Sequence, residues 1–80
     1  MPTIPAALAC IQRIIAAVAE RPIDEILPDQ LLLEDLGLDS LQIAEVAQKI
    51  ENAVGRPIDE DHLNADGVTV ARCAEIAATS

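Results

Sequence analysis

The chain has 80 residues, of which 14 are acidic and 5 basic, giving a formal net charge of −9. No basic patch is available to neutralise phosphates, so nucleic-acid binding is disfavoured and basic protein partners are favoured. Hydrophobic residues make up 51% of the chain and none is aromatic, which predicts one small core of Leu, Ile, Val and Ala in a single domain spanning 1–80. Many alanines and few β-branched runs favour helices over strands.

Met1 to Ile4 reads as a lead-in, and Pro5 suits the first turn of a helix, where its missing N–H costs little. At 100° per residue Leu8, Ile11, Ile14, Ile15 and Val18 share one face, with Ala9, Gln12, Arg13, Ala16 and Glu20 opposite. A first amphipathic helix is therefore predicted from about Pro5 to Ala19, stopped before Pro22. The stretch has no positively charged leader and is interrupted by Arg13, so neither a signal peptide nor a membrane span is expected.

From Glu20 to Asp39 the chain carries Pro22, Pro28 and Gly37 and no sustained periodicity. A connection this long in a small domain is often functional. Its acids, Glu20, Asp24, Glu25, Asp29, Glu34, Asp35 and Asp39, lack the Asp-x-Asp-x-Asp-Gly spacing of a calcium loop, and no metal site is expected. Ile23, Ile26, Leu31, Leu32, Leu33 and Leu36 are expected to pin it to the core, and a short helical turn fits Ile23–Leu27.

The run Glu34-Asp35-Leu36-Gly37-Leu38-Asp39-Ser40-Leu41 reads as a chain stop followed by a helix start. Gly37 accommodates a positive φ, and Asp39 and Ser40 both have side-chain oxygens suited to an N-cap. Helical period without Pro or Gly then runs to Val54, with Gly55 and Pro57 as stop signals. Ile43, Val46, Ala47, Ile50, Ala53 and Val54 form the expected buried face of this second helix, and Gln42, Glu45, Gln48, Lys49 and Asn52 the outer one. Leu41 also points outward, roughly opposite Ile50. Ser40 thus stands at a helix N-terminus, where free N–H groups and the macrodipole favour an anion such as a phosphate.

Ile58 to Asn64 reads as one short helical turn with Ile58 and Leu63 inward, and His62, without partners at ligand or catalytic spacing, faces solvent. Asp66-Gly67 turns the chain. Thr69 caps a last helix over Val70 to Ala78, with Val70, Cys73, Ile76 and Ala77 on its inner face. Cys10 and Cys73, the two cysteines, fall in apolar helical patterns without metal spacing and are read as reduced thiols of a cytosolic protein. Amphipathic segments of this kind predict an all-α fold, a four-helix bundle of three main helices and one short helix with a long first loop.

The eight-residue run ending in Asp39-Ser40-Leu41 closely resembles the attachment motif of acyl carrier proteins, and the following Thr69-Val70 is similar to the pair that opens their final helix. The resemblance spans essentially the whole chain. It implies that Ser40 carries a covalent 4′-phosphopantetheine arm, placed there from coenzyme A by a phosphopantetheinyl transferase. Acyl groups would then ride on the arm as thioesters and be presented to partners such as an acyltransferase or ketosynthase. It also implies that Asp39, Leu41, Ala44, Glu45 and Gln48 form the partner contact. Such a protein is a substrate rather than an enzyme, and no nucleophile–base pair in the sequence argues otherwise. A monomer in the cytoplasm is expected.

The subfamily is read from departures. Leu36-Gly37-Leu38-Asp39-Ser40 lacks the second Gly and the His usual before the serine of peptidyl carriers. The second helix sets Glu45 and Glu51 against Lys49, with neutral Gln42, Gln48 and Asn52, and is less acidic than in the fatty-acid-synthase type. The resemblance therefore points to a discrete carrier of a polyketide or other specialised pathway. An aminoacyl or aryl carrier, and from another class an unmodified helical adaptor, remain alternatives.

Overall fold

The computed structural model describes residues 4–65 and 67–79. Of the expected lead-in Met1 to Ile4, Met1 to Thr3 lie outside the described residues and Ile4 is already helical; the Asp66 half of the Asp66-Gly67 turn also lies outside the described residues. Helix α1 spans Ile4–Ala19, α2 Ser40–Val54, α3 Glu60–Leu63 and α4 Val70–Thr79, and a single 3-10 turn, Ile23–Glu25, interrupts the first loop. This is the all-α bundle of three main helices and one short helix that the periodicity predicts, and among the described residues there is no strand.

Each helix ends where its local chemistry stops it. Glu20 takes a left-handed φ of 56° after α1, and the next amide, Arg21 N, reaches back to Ala16 O at 3.0 Å. That pattern closes a helix at a left-handed residue, a position more usually filled by glycine. Gly55 ends α2 in the same left-handed conformation (φ 75°), donating to Glu51 O at 2.8 Å. Asp59 caps α3 through Asp61 N, and Thr69 Oγ1 caps α4 by accepting from Arg72 N at 3.1 Å.

The core lies where α1 meets α4 and α2. It is built from Ala7, Ile11, Ile15 and Val18 of α1, Ile43, Val46, Ala47 and Ile50 of α2, Leu63 of α3, and Val70, Cys73, Ala74, Ala77 and Ala78 of α4. A fully buried Leu, Ile or Val contributes roughly 1.5–3 kcal/mol, so these aliphatic side chains supply most of the drive to fold. Ile58 and Leu63 are buried as expected.

Several expectations about facing need correction. Ala53 is exposed rather than buried, because it lies at the edge of the α2 stripe, 100° round from Val54. Leu8, Ile14 and Ile76 are half-buried, whereas Ala7 and Ala74 are buried. Gln12, expected on the outer face, is half-buried and its Nε2 donates to Ile26 O at 2.9 Å. Ile23, expected to pin the first loop, is 44% exposed.

The loop is held by Ile26, Leu32 and Leu36, as expected, together with Leu38, all buried, and by backbone bonds to the start of α4. Leu32 N donates to Val68 O at 3.0 Å, Val70 N to Gln30 O at 3.0 Å and Ala71 N to Pro28 O at 2.9 Å. First-turn amides of α4 that would otherwise lack acceptors are thereby satisfied by the loop, which in turn gains fixed partners for its own carbonyls.

Candidate functional site

The site begins in the loop. Asp35 Oδ2 accepts from Leu31 N at 2.8 Å, while Asp35 N and Leu36 N both donate to Leu31 O at 3.0 Å. This closes a tight turn around Leu31. Gly37 then takes φ 66° between two buried leucines, Leu36 and Leu38. No heavy atom lies within 4 Å of where a Cβ on Gly37 would stand, so the conformation rather than the space calls for glycine there. Leu38 N donates to Leu32 O at 3.0 Å, and the chain leaves the loop with its direction fixed two residues before Ser40.

Asp39, exposed and extended (φ −95°, ψ 179°), is the N-cap of α2. Its Oδ1 accepts from Gln42 N at 2.8 Å, and Gln42 Oε1 accepts from Asp39 N at 3.1 Å. Of the two cap-type residues in the sequence, Asp39 therefore does the capping, and Ser40 is the first helical residue, exposed, with its hydroxyl left over. Among the described residues no protein acceptor meets the amides of Ser40 or Leu41, whereas Ile43 N makes the first helical bond, to Asp39 O at 2.9 Å.

An exposed hydroxyl beside two open amides at the positive end of a fifteen-residue helix suits a phosphodiester. Ser40 Oγ would be its ester oxygen, and the Ser40 and Leu41 amides would hold its charge. Glu34, Asp35 and Asp39 are nearby acids in sequence, but all three are exposed, so solvent and salt weaken their repulsion.

From Ser40, α2 presents Leu41, Ala44, Glu45 and Gln48 at i, i+3, i+4 and i+7 spacing, which aligns them in one stripe. Leu41 is 82% exposed, the most exposed of the large hydrophobic side chains, Glu45 and Gln48 are exposed and Ala44 is half-buried. Gln48 Nε2 donates to Asn52 Oδ1 at 3.3 Å one turn further on. Asp39, four residues before buried Ile43, is outside this stripe and is brought to the site as the N-cap of α2. Ile23, expected inward, and Leu27 are 44% and 49% exposed and are further apolar side chains on the surface of the first loop.

Other reactive groups lie apart from Ser40. His62 is exposed, with Nε2 3.8 Å from Asp59 Oδ2. Both cysteines are free, Cys10 half-buried and Cys73 buried, where desolvation pushes the thiol up to about 12. A cavity of about 90 Å³ opens between Cys10 and Ile11 of α1, Ile50 and Val54 of α2 and Ala77 of α4. Ile50 and Val54 stand ten and fourteen residues along α2 from Ser40, or roughly 15–21 Å at 1.5 Å per residue, so this cavity is at the other end of the helix. Among the described residues no helix is long and apolar enough to cross a membrane, and no cluster of His, Cys, Asp and Glu could hold a metal ion.

A family model described as the phosphopantetheine attachment site matches residues 10–76, from the first turns of α1 to the last turn of α4. Compared with curated proteins, the sequence matches none.

Proposed function

The chain belongs to the phosphopantetheine attachment-site family, whose members carry a covalently attached 4′-phosphopantetheine and work with a phosphopantetheinyl transferase and biosynthetic enzymes; from that premise we propose that it is an acyl carrier protein modified on Ser40. The observation that supports this most is the division of labour at the start of α2. Asp39 takes the cap, which leaves Ser40 Oγ exposed and uncommitted beside two open amides. A serine used as the cap would have its oxygen engaged by the helix.

Once attached, the arm supplies a terminal thiol that holds acyl groups as thioesters. The protein's own residues do the rest. Gly37 and the buried Leu36 and Leu38 fix the approach to the helix; the Ser40 and Leu41 amides would hold the phosphodiester charge, and the stripe from Leu41 to Gln48 would be the surface on which enzymes dock. That stripe contains one acid, Glu45, and Lys49 follows it in the next turn. Exposed ion pairs contribute about 0–1 kcal/mol each, so a partner gains little from charge here and more from covering Leu41.

The weak charge of α2 and the Leu36-Gly37-Leu38-Asp39-Ser40 motif favour a carrier in a polyketide or other specialised pathway over a fatty-acid-synthase carrier. The test compares loading rates across a salt series for the wild type, Leu41→Ala and Glu45→Lys with the enzyme of its own pathway. A shallow salt dependence with Leu41→Ala the slower variant is expected. A steep one, with Glu45→Lys the slower, would show that charge still governs docking. An aminoacyl group captured in preference to acyl groups would move the protein to the second reading, a carrier of a nonribosomal pathway.

A further inference from the structure

We infer that Gln42 is a positioning residue for the modification of Ser40, acting through the backbone of Asp39. The inference rests on Ser40 being the attachment residue. Gln42 Oε1 accepts from Asp39 N at 3.1 Å, while Gln42 N donates to Asp39 Oδ1 at 2.8 Å. The two bonds together fix both the carboxylate and the peptide plane of the residue before Ser40. With either one missing, Asp39 is free to swing about its extended backbone, and the direction of the Ser40 side chain at the first helical position follows it.

Two further observations make Gln42 more than a general stabiliser. First, its side-chain amide is engaged at the N-cap rather than in the core: Gln42 is half-buried, and the fully buried face of α2 begins at Ile43. Truncating it therefore removes the cap bond with little loss of core packing. Second, it is neutral. A glutamate in its place would accept the same Asp39 N–H but would add a negative charge beside the Asp39 carboxylate and beside any phosphodiester on Ser40. Gln42 closes the cap without that repulsion. It is not one of the residues of the docking stripe, which puts its effect on the chemical step rather than on the encounter.

The experiment measures steady-state transfer from coenzyme A by a purified phosphopantetheinyl transferase, with amide hydrogen exchange of the unmodified protein in parallel. Gln42→Ala is expected to expose the Asp39 amide to exchange and to lower kcat several-fold with KM unchanged. Gln42→Glu, which keeps the acceptor for Asp39 N but adds a charge, is expected to restore protection of Asp39 and to recover only part of kcat. Asp59→Ala, which removes a cap from α3 far along the chain from Ser40, is expected to lower the melting temperature and leave kcat alone. If Gln42→Ala exposes the Asp39 amide and kcat does not change, the inference is overturned. The same holds if Asp59→Ala lowers kcat as much, because the effect would then be one of global stability. Absence of transfer to the wild type, by contrast, would count against Ser40 as the attachment site and not against Gln42 alone.

Discussion

Leu32 joins the Ser40 loop to the last helix: its amide donates to Val68 O at 3.0 Å, and its carbonyl accepts from Leu38 N at 3.0 Å. One residue thus links the segment that opens α4 to the segment that opens α2. Its side chain is fully buried as well.

Leu32→Ala should accordingly be among the most damaging loop substitutions. Truncating a buried leucine costs about 2–5 kcal/mol. An 80-residue domain has roughly 4–12 kcal/mol in all. Denaturant unfolding should show a large fall in midpoint, and hydrogen exchange of the wild type should find the Leu32, Leu38 and Val70 amides as protected as those in the middle of α1. Fast exchange at these amides would mean the loop opens independently of the helices.

Glu20 offers a substitution of the opposite sign. It holds φ 56° with an exposed side chain, a conformation that costs an ordinary residue about 1–2 kcal/mol and glycine very little. Glu20→Gly should gain about 0.5–1 kcal/mol after the greater freedom of glycine in the unfolded chain is deducted. A lower urea midpoint would show that the Glu20 side chain contributes more than its exposure suggests.

The two faces of α2 should respond differently to change. Ile50 is 1% exposed, so Ile50→Asp puts an unpaired charge in the core and should prevent folding at room temperature. Leu41→Ala, at an 82% exposed position, should shift stability by no more than about 0.5 kcal/mol while slowing transfer of the arm. Circular dichroism melts read the first effect and single-turnover kinetics the second. Comparable destabilisation by both would contradict the assigned faces.

Cys73 gives the fold a sensitivity to alkali. Burial raises its pKa from 9.0 to about 12, so between these values an unfolded chain loses the proton and the folded one keeps it. The unfolded state then binds fewer protons, and stability falls as pH rises, by up to about 1.4 kcal/mol per pH unit. Below pH 9 the thiol is protonated in both states and contributes no slope. Urea midpoints at pH 8, 9 and 10 should show the fall beginning near 9, and a Cys73→Ala variant should have a shallower slope. At neutral pH a thiol reagent should label half-buried Cys10 well before Cys73. Equal labelling rates would show that α4 opens readily.

Much of this was legible because the signals are local. The limits of α2 follow from Asp39 and Gly55, and the cap of α4 from Thr69, each a residue type with a defined role at a helix end. The stripe from Leu41 to Gln48 follows from the helical period. The Asp39-x-x-Gln42 spacing is itself a capping-box signature, so the pairing that orients Ser40 could have been read from it, although the period alone placed Gln42 on the outer face. What could not be read is non-local. Nothing in the side chains of Leu32 or Gln30 announces that their backbones meet Val68 and Val70, and Gln12 turns inward because Ile26 O lies in reach, a fact of tertiary structure. Ile23 was expected inward on hydrophobicity alone, which does not say which loop residues a turn will leave outside.

The central claim, that Ser40 receives the arm, is tested most directly by intact-protein mass spectrometry. The wild type and Ser40→Ala are incubated with coenzyme A and a broad-specificity phosphopantetheinyl transferase, and the folding of both is checked by circular dichroism. The expected result is the mass of one phosphopantetheine added to the wild type, mapped to the peptide containing Ser40, and none added to a Ser40→Ala protein that is folded. Addition to the Ser40→Ala variant, or none to a folded wild type under conditions that load a known carrier, would contradict the claim.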